Sequence, residues 1–365
     1  MFYLWHEQLS RLFGPFNVLR YVSFRVVAAT TTALVITWIL YPGFIRRLQR
    51  LQIGEVIRSD GPASHARKSG TPTMGGTLMV VSILSSVLLW GDLANPYVLL
   101  TGAITLVFAA IGFTDDSLKL ARRKGLRART KLGAQVLVTF AVFATYLRFE
   151  AWGFDTYLYF PFLRADHYFL WIPWWAYAVF ATVVVVGFSN AVNLADGLDG
   201  LAIGPTITAT GTFLILAYIS GAVINRMPLS EYLLVPRVEG AYELSVVCAS
   251  LIGAGIGFLW YNAAPAQVFM GDVGSLSLGA TLGTIAVFTK NEFLSVIVGG
   301  VFVLEAVSVI MQTTSFKLTG RRVFRMAPIH HHFEQQGVPE TRIVIRFWII
   351  SILLSLVALA SLKVR

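Results

Sequence analysis

Residues 97–125 read YVLLTGAITLVFAAIGFTDDSLKLARRKG, and the order of their chemistry decides what kind of chain this is. An uncharged apolar run at 97–114 ends on two adjacent carboxylates, Asp115 and Asp116, and then on the cations Lys119, Arg122, Arg123 and Lys124. A helix crossing a hydrocarbon layer of about 30 Å needs about 20 such apolar residues. A carboxylate at the centre of such a span costs about 2.5 to 3.5 kcal/mol on insertion scales. The Asp pair is therefore tolerable at the membrane boundary or beside a wet cavity, and the boundary is where the run puts it.

Outward from this stretch the same pattern repeats. Apolar runs at 22–45, 73–91, 97–114, 132–147, 172–192, 200–221, 243–261, 274–289, 293–314 and 343–362 predict about ten transmembrane helices. The 365 residues are 56% hydrophobic and 13% charged, where a soluble domain carries about 25% charge. These runs do not alternate over about 10 residues as barrel strands do. The fold class expected is an all-α integral membrane protein, one polytopic domain over 1–365. The first residues, 1–18, carry Glu7 and Arg11 and no small-residue cleavage site, so they read as an interfacial helix rather than a removable signal peptide. The single cysteine, Cys248, sits in an apolar run and reads as a small core residue.

The net charge of +10 does not point to nucleic acid, because its distribution follows the spans. Loops 46–72, 115–131 and 315–342 hold eighteen of the 29 Lys and Arg and all fall on one face. The positive-inside rule makes that face cytoplasmic and puts both termini on the other, periplasmic side. Loops 193–199 (NLADGLD) and 262–273 (NAAPAQVFMGDV) share the cytoplasmic face but carry no Lys or Arg and three Asp. On the outer face, 148–171 is dense in aromatics, as an interfacial belt or small hairpin is.

Five acids therefore gather at one membrane face: Asp115, Asp116, Asp196, Asp199 and Asp272. Asn193, Asp196 and Asp199 are three residues apart, so a helical continuation makes them a polar stripe. Gly197 and Gly200 let the backbone turn or approach a ligand, while Gly271 and Gly274 flank Asp272 ahead of the next span, where helix N–H groups attract an anion. Phe269 is placed to stack on a flat ring or simply to pack. Carboxylates among Lys and Arg are the composition of a divalent cation with phosphates, and hard oxygen ligands suit Mg2+. Lys68, Lys119 and Lys131 would balance phosphate charge, or serve as topology-setting loop charge. His330, His331 and His332 are consecutive and cannot all point one way, so a three-His metal cage is unexpected; hydrogen bonding to a phosphate or a structural loop role both fit. Glu305, the one acid deep inside a span, reads as a functional group or as a buried carboxylate bonded to a neighbouring helix.

Five blocks, TPTMGG (71–76), GFTDDSLK (112–119), NAVNLADGLDGLA (190–202), PAQVFMGDVGSLSLG (265–279) and MAPIHHHFE (326–334), resemble in order and spacing the phospho-N-acetylmuramoyl-pentapeptide transferases, within the polyprenyl-phosphate N-acetylhexosamine-1-phosphate transferases. The likeness spans essentially the whole chain, and the PIHHHFE block points to the muramoyl-pentapeptide branch. The resemblance implies an Mg2+-dependent enzyme of the bacterial cytoplasmic membrane. It would transfer phospho-MurNAc-pentapeptide from UDP-MurNAc-pentapeptide to undecaprenyl phosphate, giving lipid I and UMP, as a homodimer with its active-site cleft facing the cytoplasm. It also implies Asp115, Asp116 and Asp272 as catalytic and metal-associated; Asn193, Asp196, Gly197, Leu198 and Asp199 as the nucleotide-side motif; and Phe269 as the uracil-stacking ring. Lys68, Lys119, Lys131, Asn262, His330, His331 and His332 would line the cleft. Ala195 stands where Thr is common and Ser117 where Tyr often follows the Asp pair, which touches local packing only. The alternatives are a related GlcNAc-1-phosphate transferase and, remotely, a lipid transporter, which would place its ionisable groups near the midplane of repeated, broken helices.

Overall fold

The computed structural model describes residues 1–51, 70–148, 154–224 and 227–363. In chain order its helices are α1 (His6–Leu12), α2 (Val22–Arg50), α3 (Gly76–Trp90), α4 (Pro96–Arg122), α5 (Ala128–Arg148), α6 (Trp174–Ala195), α7 (Ile203–Gly221), α8 (Leu229–Leu233), α9 (Leu244–Asn262), α10 (Gly271–Phe288), α11 (Glu292–Val298), α12 (Gly300–Thr319), α13 (Ile329–Glu334) and α14 (Glu340–Ala360). The only strands among the described residues form two short antiparallel hairpins, one of them pairing Tyr157–Tyr159 with Phe169–Trp171 in the aromatic-rich loop before α6. The chain is thus an all-α membrane protein.

Nine helices among the described residues are long and apolar enough to cross a membrane. They occupy nine of the ten expected runs, and two runs differ in detail. Run 73–91 yields α3, of 15 residues, about 22 Å at 1.5 Å per residue. Run 293–314 is broken at Gly299 into α11 and α12, where a Cβ would strike the ring of Phe188 on α6. The N-terminal segment also differs from one interfacial helix. It is α1 followed by a 3-10 turn over Gly14–Arg20, with Leu4, Leu12, Phe13 and Phe16 exposed.

The centre of the bundle is α10, buried from Val273 to Phe288. Without a hydrophobic force between helices in lipid, close association depends on small residues that let backbones touch. A Cβ on Gly279 would overlap the Phe188 carbonyl of α6, and one on Gly76 of α3 would overlap Gly274. Cross-helix hydroxyls add hydrogen bonds: Ser189 Oγ donates to Leu276 O at 2.9 Å, and Thr105 Oγ1 lies 2.7 Å from Thr281 Oγ1.

Helix α4 delivers the Asp pair. Asn95 caps it, its Oδ1 accepting from Tyr97 N at 2.9 Å, with Pro96 in the first helical position. Its buried stripe runs Tyr97, Thr101, Ile104, Thr105, Phe108, Gly112, Asp115 and Asp116, the spacing of one helix face. The last turn of that stripe packs on the first turn of α10, because Gly112 leaves room for the Asp272 carbonyl. The carboxylates are consequently inside the bundle at the mouth rather than on a solvated helix end.

Buried charged residues brace the other end. Arg25 of α2 and Glu243, just before α9, are each 1% exposed and form a bidentate pair at 2.7 and 2.5 Å. Lys290, just past α10, is 2% exposed; its Nζ lies 2.9 Å from Asp155 Oδ1 and over the rings of Phe154 and Tyr177.

Candidate active site

Four elements supply the acidic cluster. Asp115 and Asp116 come from the last turns of α4, Lys131 from the first turn of α5, Asn193 from the last turn of α6, and Asp272 from the first turn of α10. Gly271, immediately before Asp272, holds φ +73, and a Cβ there would lie 2.7 Å from Asp116 Oδ2. A side chain at 271 would therefore be strained and would push the second carboxylate away. Asp272 enters α10 where unpaired N–H groups and the helix dipole favour negative charge.

Each carboxylate is held by both a backbone or amide donor and an ammonium. Asp115 Oδ1 accepts from Leu126 N at 2.6 Å, across the turn after α4, and its Oδ2 lies 2.8 Å from Lys119 Nζ and 3.6 Å from Lys131 Nζ. Asp116 Oδ2 accepts from Val273 N at 3.3 Å, and its Oδ1 from Lys119 Nζ at 3.2 Å. Asp272 Oδ1 accepts from Asn193 Nδ2 at 2.8 Å, and its Oδ2 from Lys119 Nζ at 2.8 Å and Lys131 Nζ at 2.5 Å. The same Asn193 amide donates to Ser275 Oγ at 2.8 Å, one turn along α10.

The donor set fits a hard divalent cation. One oxygen from each of Asp115, Asp116 and Asp272 can be chosen so that all lie within 4.8 Å of one another, and carboxylate oxygens are the ligands Mg2+ takes. Three carboxylates meet two ammonium groups, so the cluster keeps a negative balance. Its opening is on the Lys119 side, where the side chain is 41% exposed while Asp115 is 4% exposed.

The other expected residues form a second group beside this cluster. Asp199 Oδ2 accepts from Ala266 N at 3.0 Å. Asn262 Oδ1 accepts from Gly200 N at 3.0 Å, and its Nδ2 donates to Val268 O at 2.9 Å. Both side chains clasp loop 193–199 to loop 262–273, the loop that carries Phe269. Phe269 is half-buried, and its backbone pairs with the TPTMGG segment, N to Pro72 O and O from Gly75 N, each at 2.8 Å. Leu198 is buried against Leu201, Ile343, Val344 and Phe347, so its side chain packs in the core. Asp196 and Gly197 are half-buried on the same turn. Lys68 lies outside the described residues.

The three histidines diverge. His330 is fully buried, with Nδ1 3.1 Å from Glu305 Oε1 of α12. His331 Nδ1 lies 2.6 Å from Glu334 Oε2, and His332 Nδ1 accepts from Arg325 N at 3.1 Å. The buried Glu305 thus faces His330 of α13 at ion-pair distance. Ser275, Gly112, Gly125, Leu126 and Trp348 are site-forming residues that the sequence reading passed over. A Cβ on Gly125 would lie 2.6 Å from Asp115 Oδ1, and Trp348 Nε1 donates to Gly200 O at 3.0 Å. Trp348 lies 148 residues from its partner, so nothing local marked it.

Comparison with known proteins places this geometry in context. The family model for glycosyl transferase family 4 matches residues 98–290, from α4 to the end of α10. The chain is 57% identical over 357 residues to the phospho-N-acetylmuramoyl-pentapeptide-transferase of Sorangium cellulosum, covering 96% of this chain and 95% of that one. It is 53% identical over 352 residues to the protein of the same name from Pelobacter propionicus, covering 96% of each. With the one from Koribacter versatilis it shares 47% over 382 aligned positions and the full length of both.

Proposed function

Because the chain belongs to the phospho-N-acetylmuramoyl-pentapeptide transferases of glycosyl transferase family 4, we propose that it transfers phospho-MurNAc-pentapeptide from UDP-MurNAc-pentapeptide to undecaprenyl phosphate, releasing UMP and forming lipid I. The observation that carries this reading is the convergence of Asp115, Asp116 and Asp272 with Lys119 and Lys131 at the mouth of the bundle. The donor is a soluble nucleotide sugar and the acceptor phosphate hangs from a lipid, so the reaction belongs at such a boundary. Loop 115–131, which follows the Asp pair and carries Lys119 and Lys131, is rich in Lys and Arg, which supports a cytoplasmic face in the bacterial inner membrane. Homodimer formation remains part of the proposal, on family resemblance alone.

An oxygen of the lipid phosphate attacks the β-phosphorus of the donor; the new P–O bond forms as the bond to UMP breaks. Asp115, Asp116 and Asp272 would hold Mg2+, which when bound neutralises charge developing on the phosphoryl oxygens. Lys119 and Lys131 supply further positive charge at the same point. Asp115, bonded to Lys119 at the opening, would orient the acceptor or take its remaining proton. Asn193 fixes the rotamer of Asp272, so that its second oxygen stays directed at the lysines. The turn from Asp196 to Asp199 and the loop of Phe269, clasped by Asp199 and Asn262, form the nucleotide side.

The test is UMP release by purified protein in detergent from UDP-MurNAc-pentapeptide, with and without undecaprenyl phosphate and Mg2+. Release that requires both supports the reading. Release from donor and protein alone with a phosphorylated Asp would replace direct attack by a covalent route. Activity with UDP-GlcNAc and none with the muramoyl donor would move the chain to the related N-acetylglucosamine branch.

A further inference from the structure

Glu305 and His330 are buried titratable groups near the site that the proposed chemistry does not use. Glu305 lies on α12, 0% exposed, and among the described residues neither of its carboxylate oxygens accepts a hydrogen bond. The group facing it is the His330 imidazole, also 0% exposed, with Nδ1 at 3.1 Å. A buried carboxylate is tolerated when it has a specific partner. The other edge of the ring is equally committed. His330 Nε2 and Cε1 press on Gly197 so closely that a Cβ at 197 would overlap them. Neither ring nitrogen makes a conventional hydrogen bond among the described residues, so the ring is positioned by packing and by the carboxylate.

The contact joins three parts of the chain. Glu305 on α12 sets His330 on α13, and His330 sets the backbone of the turn at Gly197. That turn continues into Asp199, which accepts from Ala266 N, and into Gly200, whose N–H donates to Asn262 Oδ1. Trp348 of α14 ties the Gly200 carbonyl from the other side at 3.0 Å. The acidic cluster is reached by other routes: Asn193, Leu126 and Val273 fix its carboxylates, and none of them touches the histidine.

We infer that Glu305 is a positioning residue for the nucleotide donor, acting through His330 on the Gly197 turn and not on the acceptor or the phosphoryl step. The inference rests on the function proposed above. It assigns the first histidine of the triplet to bracing the turn, leaving phosphate contact to other groups.

The experiment measures UMP release with both substrates varied, for wild type, Glu305→Gln and Glu305→Ala, together with melting temperature in detergent. Glu305→Ala raises the KM for UDP-MurNAc-pentapeptide about tenfold and Glu305→Gln about threefold, with kcat and the KM for undecaprenyl phosphate within about twofold of wild type. The Gln side chain keeps the volume, so that variant melts as wild type does and decides the matter if the Ala variant fails to fold. A donor KM unchanged in Glu305→Gln, or a fall in kcat or a rise in the acceptor KM of the same size as the donor effect, overturns the inference. Wild-type protein that releases no UMP overturns the functional reading and the inference with it.

Discussion

The two ends of α10 bury charge in opposite ways. At its C-terminal end Lys290 is 2% exposed, bonded to Asp155 and covered by the rings of Phe154 and Tyr177. At its N-terminal end Asp272 is 13% exposed and shares two ammonium groups with two further carboxylates, beside a lysine 41% exposed. The first arrangement closes over its lysine, as the protein closes over the Arg25–Glu243 pair. The second is open and holds one negative charge more than its lysines neutralise. Charge buried with its partner serves folding, since removing one member strands the other. Charge gathered in excess at an opening costs stability and persists where a ligand uses it.

Four substitutions would break or sharpen that contrast. The largest effect is expected from Asp272→Asn, which should lower the rate of UMP release at least about 1,000-fold, roughly 4 kcal/mol of transition-state stabilisation. Lys119 stays bonded to Asp115 and Asp116, and Lys131 stays beside Asp115, so the variant's melting temperature should fall by less than in Arg25→Ala. Arg25→Ala should do the reverse. Stranding Glu243 in the apolar interior should cost about 3 kcal/mol of stability, read as a lowered melting temperature, while the folded fraction turns over at the wild-type rate. Gly112→Ala comes next. Its methyl group would wedge α4 off the Asp272 backbone, and a shift of about 1 Å at reacting groups costs about 100-fold in rate, with no charge altered. The smallest is Asn193→Ala, expected to lower kcat about tenfold by freeing the Asp272 rotamer. Equal losses of stability in Asp272→Asn and Arg25→Ala would erase the distinction between the two ends.

Much of this was legible in the chain because lipid imposes a strict length rule. Run 97–114 became α4 because its composition alone fixes a helix at a boundary, and the acids at its end were visible as acids. Their burial was not, since it depends on Gly112 meeting α10 across more than 150 residues of sequence. The break at Gly299 was not read: run 293–314 has Glu305 as its one charged residue, and the Gly299–Gly300 pair that lets the Phe188 ring approach was its one local sign. Arg25 and Glu243 lie 218 residues apart, so neither announces the other.

The candidate site divides along the same line. Asp115, Asp116, Asp272, Lys119, Lys131 and Asn193 do meet; residue type marked the acids, and the family resemblance put the lysines in the cleft. Leu198 faces the core and the three histidines take three different partners. Consecutive residues on a helix diverge by about 100°, so the triplet could be recognised as special while the partner of each ring could not be read. Asp199 and Asn262 were chosen as ligand groups, and their bonds to Ala266 N, Gly200 N and Val268 O tie the two loops together.

The most direct test of the central claim sets Asp272→Asn against Lys290→Met in one preparation, measuring UMP release and melting temperature for each. The account predicts a protein that is stable and inactive in the first case and destabilised but catalytically competent in the second. An Asp272→Asn variant that releases UMP within a few-fold of the wild-type rate would contradict it, because the open acidic end of α10 would then be no more than a second structural brace.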